Sequence, residues 1–321
     1  MHGRHVTLAE RELAAIRLAL GNTKAKVAEE LGRHVRTIRR ELKRNQVAGS
    51  YLPAQVRALA DQRRRESKEP WKLKEPELAA FVKEGLRAYW SPEEIAGRWR
   101  KGRPCARRQW VSHQCLYDWI WREKTQGQCW HRYLRRAYKK RRELQESLKR
   151  RGRIAGRVGI EERPMIVEQR KRLGDWESDR MEGSGSTAGL ASHVERKSRY
   201  TVLAKLADGK ATTLNDGTIQ AFARHGGLPP RTTTADNGKE FAAHAELAAA
   251  LGLDMHFARP YHAWERGTNE NTNGLVRQFF PKGLDLRQVT ARQVEHVENL
   301  LNNRPRKCLG YRTPLEVIRR C

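Results

Sequence analysis

Three acidic residues stand where carboxylates could share one task. Asp179 lies in "GDWESDRMEG", just ahead of a segment that reads as a hairpin. Asp236 closes the β-favouring run "TTTAD" and is followed by Asn-Gly, and Glu270 lies in "ERGTNENTNGLVRQFF". Carboxylates from two strand positions and one helix can converge on a pair of hard cations. Magnesium suits such a site, because it takes oxygen ligands and relies on few protein carboxylates plus substrate phosphate. Two such ions activate an attacking oxygen and steady the leaving one in an in-line phosphoryl displacement. Taken singly, each acid has a plainer role: an exposed strand residue, a turn residue beside an Asn-Gly that tolerates left-handed backbone angles, and a helix-dipole partner.

The surrounding elements must bring the three together. Thr268 or Asn269 can cap a helix and place Glu270 in its first turn. On that helix Arg266, Glu270, Asn273 and Arg277 fall on one stripe at steps of three or four. "LASHVERKSRYTVLAKL" reads as a hairpin turning near Lys197 and Ser198, with Tyr200, Val202, Ala204 and Leu206 on one face. A helix over "LNDGTIQAFARHG" leads into the strand "RTTTAD", and a helix around "AELAAALG" leads into the strand "LDMHFARPY". Strands first in a hairpin and then alternating with helices indicate an α/β domain with a mixed sheet. A last helix is signalled by Thr290 and Gln293 as a capping box and by Val289 with Val294 as a staple; Val294, Val297, Leu300 and Leu301 would close the core. Strand parity does not choose the first acid, since Asp175 and Glu177 share the face of Asp179. Glu265 rivals Glu270 but sits in the loop before the helix.

The first half of the chain reads differently. Apolar residues recur at helical spacing, Leu13, Ile16 and Leu20, then Val27, Leu31, Val35, Ile38 and Leu42, with Gly32 where two short helices need a tight turn. This is a helix-turn-helix whose second helix would present Arg36, Thr37, Arg39, Arg40 and Lys43 to DNA. In "WSPEEIAGRW", Ser91, Pro92 and Glu94 make a strong helix start. In "VSHQCLYDWIW", Ser112 is a cap, with Val111 and Leu116 as staple. These two helices flank a basic loop and make a second candidate DNA-binding module, with His113 and Gln114 opening its second helix. Residues 132–172 hold sixteen Lys or Arg against five acids and read as a basic linker. The expected division is 1–50, 51–131, 132–172 and 173–321.

Composition narrows the partners. Sixty-five Lys and Arg against thirty-seven Asp and Glu give a formal charge of +28 over 321 residues. A balance that basic points to nucleic acid, where neutralised phosphates release counterions. No apolar run approaches the length that spans a membrane, and the N-terminus lacks the pattern of a secretory signal. The five cysteines form no CxxC pair and fit reduced thiols. Cys105, His113, Cys115, Cys129 and His131 match no common zinc spacing.

"DWESD", "ADNGKEF", "RPYHAWERGTNENTNGLVRQFFPKG" and "LNNRPRKCLGYRTPLEV" resemble the catalytic domain of bacterial insertion-sequence transposases of the IS-thirty type, within the DDE superfamily of RNase H-like recombinases. Thirty-three residues separate Asp236 from Glu270, similar to that family's second gap, and the N-terminal helix-turn-helix ending "RRELKRN" extends the likeness over nearly the whole chain. The resemblance implies a multidomain protein: an N-terminal all-α helix-turn-helix region followed by an α/β RNase H-like domain. It selects Asp179, Asp236 and Glu270 as catalytic and metal-holding residues, served by two magnesium ions that manganese can replace. Arg277 matches a basic position that helps hold DNA, and Trp264, Arg266, Asn269, Asn271 and Asn273 match the signature around the glutamate; Arg266 and Asn273 join the candidate DNA contacts. The implied activity is cleavage and strand transfer at terminal inverted repeats and target DNA. A homodimer or larger assembly on double-stranded DNA, cytoplasmic and nucleoid-associated, would perform it, with no membrane involved. The rivals are a non-catalytic helix-turn-helix regulator and an RNase H-like nuclease without strand transfer.

Overall fold

Alternation along five strands fixes the larger unit of the chain. A computed structural model describes residues 6–45, 51–67, 71–135, 154–225, 228–259 and 262–320. It divides into two compact units, Met1–Trp71 and Lys72–Cys321.

In the first unit α1 (Leu8–Ala19), α2 (Lys24–Glu30), α3 (Val35–Asn45) and α4 (Pro53–Ser67) surround a small core of Ala14, Val27, Ala28, Ile38 and Leu42. The capping box of Thr7 and Glu10 opens α1, and Thr23 caps α2. Gly32 adopts φ +58° between α2 and α3, the left-handed turn that glycine allows without strain. The apolar stripe of α1 does not face this core, contrary to the expectation from its helical spacing. Leu13, Ile16 and Leu20 form an exposed stripe, 37 to 68% accessible, while α1 turns Arg11 and Ala14 inward. Ala14 is small enough for close helix approach, and Arg11 is held by Glu41 at 2.7 Å, so the buried face is not the most apolar one.

The second unit begins with α5 (Pro76–Arg87), α6 (Pro92–Gly102) and α7 (His113–Thr125), packed around Leu78, Val82, Leu86, Ile95, Trp99, Leu116 and Ile120. The Ser91–Glu94 box and the Ser112 cap form as expected. After the short α8 (Met165–Gln169) come β1 (Asp175–Glu182), β2 (Gly189–Glu195), β3 (Thr201–Leu206), α9 (Ala211–Ala223), β4 (Thr232–Ala235), α10 (His244–Leu251), β5 (Asp254–Phe257), α11 (Gly267–Val276), α12 (Ala291–Asn302) and α13 (Pro314–Ile318).

The sheet order is β3-β2-β1-β4-β5. β1–β2 and β2–β3 are antiparallel, while β1–β4 and β4–β5 are parallel, so the sheet is mixed. Val202, Ala204 and Leu206 pack with Trp176 against α9 and α10. Leu203, Leu190 and Met181 turn the other way, toward Leu275 and Val276 of α11 and Val294, Val297 and Leu301 of α12. Period-two alternation thus gives each face its own helical layer. Part of the basic segment after residue 153 packs on the sheet edge: Val158 accepts a hydrogen bond from the Phe257 N–H at 2.9 Å, and the buried Arg163 reaches Thr234 at 2.7 Å. Such a cover protects an edge strand from unwanted pairing. Among the described residues no helix is long and apolar enough to cross a membrane.

Candidate active site

Parallel pairing of β1 with β4 brings two of the three acids together. Asp175, Trp176 and Glu177 oppose Thr232, Thr233 and Thr234. Continued two residues past the end of the ladder, this register sets Asp236 beside Asp179 on the face that carries Asp175 and Glu177. Neighbouring strands lie about 5 Å apart, so the two carboxylates must share one small space.

A guanidinium occupies that space. Arg266 sits with Nη1 3.2 Å from Oδ1 of Asp179 and Nη2 3.6 Å from Oδ2 of Asp236. Asn273 donates to the other oxygen of Asp179 at 2.7 Å. Burial raises the Asp179 pKa; Arg266 pulls it back down and Asp236 adds to the rise. A like charge beside the half-buried Asp179 disfavours its ionisation, and a cation next to it relieves this.

Asp236 ends its strand in a turn, but not the turn expected. Gly238 has φ −71°, so the segment does not use left-handed backbone. The Asp236 carboxylate itself accepts the Gly238 N–H at 3.0 Å, and buried Asn237 donates to the Ala258 carbonyl at 2.6 Å while accepting from Arg157. Side-chain hydrogen bonding supplies the turn and clamps Asp236.

The competing acids on β1 are engaged elsewhere. Asp175 is fully buried, paired with Arg172 at 2.9 Å and accepting from Thr232 at 2.9 Å. Glu177, also fully buried, pairs with Arg196 at 3.0 Å and accepts the Asn269 N–H at 2.8 Å. Glu265 is tied to Arg259 at 3.3 Å. Only Asp179 among these acids faces Asp236.

The helix bearing Glu270 docks through asparagines. Its first residue is Gly267, preceded by Arg266 with no side-chain cap, so neither Thr268 nor Asn269 caps it; Asn269 is instead fully buried inside the first turn. The Asn269 amide donates to the carbonyls of Glu177 and Ser192 at 2.9 and 3.1 Å. Bonding two strands at once serves α11 better than bonding its own backbone. Glu270 lies in the first turn and is exposed. It does not join the aspartates: among the described residues no group of three His, Cys, Asp or Glu is gathered closely enough to hold a metal ion.

The expected DNA contacts divide into two sets. Arg36, Arg39, Arg40, Lys43, His113 and Gln114 are exposed and Thr37 is half-buried, while Arg266 and Asn273 are engaged by Asp179. Arg277 donates to the Glu182 carbonyl at 2.8 Å. Glu240 escaped the sequence reading; its pKa is raised by burial, with Asp236 and Asp179 adding to the rise, so it belongs to the same electrostatic neighbourhood. Only its position four residues after Asp236 pointed there.

Two family models match the chain: a helix-turn-helix domain over residues 2–45 and an integrase core domain over residues 169–263. The chain is 39% identical over 315 residues to the transposase for insertion sequence element IS4351 of Bacteroides fragilis, covering 98% of this chain and 95% of that one. It is 36% identical over 300 residues to the transposase for IS1086 of Cupriavidus metallidurans, covering 91% and 87%. With transposase InsI of IS30A from Escherichia coli K12 it shares 33% identity over 322 residues, covering 98% and 84%.

Proposed function

Because the chain belongs to the IS-thirty family of insertion-sequence transposases, enzymes that act on DNA and use divalent metal ions, we propose that Asp179, Asp236 and Glu270 are its catalytic carboxylates. The observation that carries this assignment is the facing of Asp179 and Asp236 across one cation-sized gap, filled by the Arg266 guanidinium.

The residues fit a divalent ion. They offer hard carboxylate oxygens in a half-buried pocket, and a positive charge already resides between them. Asp179 and Asp236 would hold such an ion, magnesium or manganese, with Glu270 closing the set. When bound, the metal supplies Lewis-acid stabilisation of charge developing on the phosphate. The chain's own residues do the positioning. Asn273 fixes which oxygen of Asp179 faces Asp236, the turn at Gly238 fixes Asp236, and Asn269 fixes the helix carrying Glu270. Water and then a freed 3′-hydroxyl attack phosphodiesters in turn, so no covalent enzyme intermediate is needed and no nucleophilic side chain is assigned.

In this reading α3 reads the terminal inverted repeats, through Arg36, Thr37, Arg39, Arg40 and Lys43. His113 and Gln114 of α7 make a second contact, and Arg277 grips DNA beside the site. Joining two DNA ends requires two active sites held together, so the working form is a dimer or larger assembly acting in the cytoplasm on nucleoid DNA.

Asp236→Asn tests the assignment on labelled DNA carrying the ends that flank the gene, with and without magnesium or manganese. Both proteins are expected to bind, and only the unaltered chain to nick and join. Binding with no cutting by either protein under any metal condition would favour a regulator. Nicking without joining would favour a plain nuclease.

A further inference from the structure

The cation between the two aspartates belongs to the chain itself. We propose that Arg266 is an exchangeable counter-ion: it holds Asp179 and Asp236 together before a divalent ion binds, and metal entry requires it to withdraw. The inference rests on the reading that these aspartates hold the metal.

Geometry makes the two cations mutually exclusive. Magnesium binds carboxylate oxygen at about 2.0–2.1 Å. The guanidinium nitrogens already stand 3.2 and 3.6 Å from the oxygens such an ion would use. Both cations cannot fill one gap between the same oxygens.

The hold of Arg266 is also incomplete. Each carboxylate receives one nitrogen, without the paired fork geometry of a strong arginine–carboxylate contact. A third contact, from Nη1 to the Ser178 carbonyl, is long at 3.5 Å, and the buried Nε has no hydrogen-bond partner among the described residues. A guanidinium with an unsatisfied buried donor is poorly matched to its pocket, which lowers the cost of leaving.

Its backbone position couples that departure to the third acid. Arg266 is the residue immediately before α11, where no side-chain cap fixes the helix start. The same helix is pinned three residues later by Asn269 and again by Asn273. Movement is thereby confined to Arg266 and the residues before Asn269, while Glu270 lies exposed between the two pinned asparagines. Withdrawal of Arg266 empties the gap, and Glu270, carried on the held helix, turns its side chain toward the vacated space. The released guanidinium then stands at the rim, where a DNA phosphate can take it.

Calorimetric titration of the full-length protein with manganese, without DNA, tests this on the unaltered chain, Arg266→Gln and Asp236→Asn, each checked for fold by circular dichroism. A competitor that occupies the site about 90% of the time weakens apparent affinity about tenfold. Arg266→Gln is therefore expected to bind manganese about tenfold more tightly, and Asp236→Asn to lose binding. Unchanged or weaker binding by Arg266→Gln, with loss in Asp236→Asn, would overturn the exchange and leave the carboxylate site standing. Full binding by Asp236→Asn would overturn both. Should Arg266→Gln not fold, amide hydrogen exchange of the unaltered chain decides: manganese is expected to alter exchange at residues 266–270, and binding without change there overturns the proposal.

Discussion

Asn273 donates to Oδ2 of Asp179 at 2.7 Å and accepts the Ser192 hydroxyl at the same distance. The carboxamide is thus a rigid spacer between β2 and the face of β1 that carries Asp179. It leaves Oδ1 of Asp179 directed at Arg266 and Asp236.

Removing that spacer is expected to harm chemistry more than folding. Outer residues that orient ligating groups are typically worth about 10- to 100-fold in affinity or activity. Asn273→Ala should therefore lower the strand-cleavage rate by about that factor and weaken manganese binding, while DNA-end affinity stays within about twofold. Cleavage assays alongside fluorescence anisotropy check it; unimpaired cleavage would remove Asn273 from the positioning set.

How much of this was legible in the sequence depended on the range of the cause. Local causes were readable: Ser91 with Glu94, Thr290 with Gln293, and the face shared by Val202, Ala204 and Leu206 all appear as the residues predict. Strand parity also put Asp175, Glu177 and Asp179 on one face, but could not rank them. What ranks them is the choice of partners, Arg172 for Asp175 and Arg196 for Glu177, and that choice belongs to the tertiary fold. The same holds for Asn269, which resembles a cap locally yet finds better partners on β1 and β2. Apolar spacing misled on α1, because an ion pair at Arg11 and the small Ala14 decided its inner face.

Charge on α3 should be visible in the salt dependence of binding. Arg36, Arg39, Arg40 and Lys43 are exposed on that helix, and each phosphate contact contributes about 0.9 to the slope of log K against log salt. Arg39→Ala is expected to reduce that slope by about one if Arg39 contacts phosphate. If Arg39 reads a base, the slope stays nearly constant and discrimination between the true end and scrambled DNA falls by about 1–3 kcal/mol. Titrations at several salt concentrations on both DNAs separate the outcomes, and no change in either would exclude Arg39 from the interface.

His193 gives the fold a sensitivity to acid. It is buried between Ser178 at 2.8 Å and Thr218 at 3.2 Å, and burial pushes its pKa down to about 4. In the unfolded chain the imidazole titrates near 6.5, so the folded value lies below the unfolded one. The stability it permits is complete above about pH 6.5 and is lost as pH falls toward 4, because the unfolded chain takes up the proton first. The full effect is about 3 kcal/mol. His193→Gln cannot titrate there, so its stability deficit relative to the unaltered chain should shrink between pH 7 and pH 4. Urea unfolding at several pH values reads this directly, with contributions from other titrating groups common to both proteins. A deficit independent of pH would mean that His193 is protonated as readily inside the fold as outside it.

Gly97 marks where α6 meets the C-terminal segment. A Cβ at this position would overlap the Tyr311 ring, and Tyr311 itself holds φ +59°. Around this contact Arg98 donates to Glu316 at 2.9 Å, Arg304 to Glu94 at 2.8 Å and Lys101 to the Gly310 carbonyl at 2.7 Å. Alanine in a helix interior gains about 1 kcal/mol over glycine, and overpacking costs about 1–3 kcal/mol. Gly97→Ala is therefore expected to be neutral to destabilising by about 2 kcal/mol, despite its better helix propensity. Tyr311→Gly removes the ring and suits the left-handed backbone, so in that background the same alanine should become stabilising by the propensity gain. A double-mutant cycle by urea unfolding isolates the coupling between the two positions. Additive effects would show that the ring can move aside at no cost.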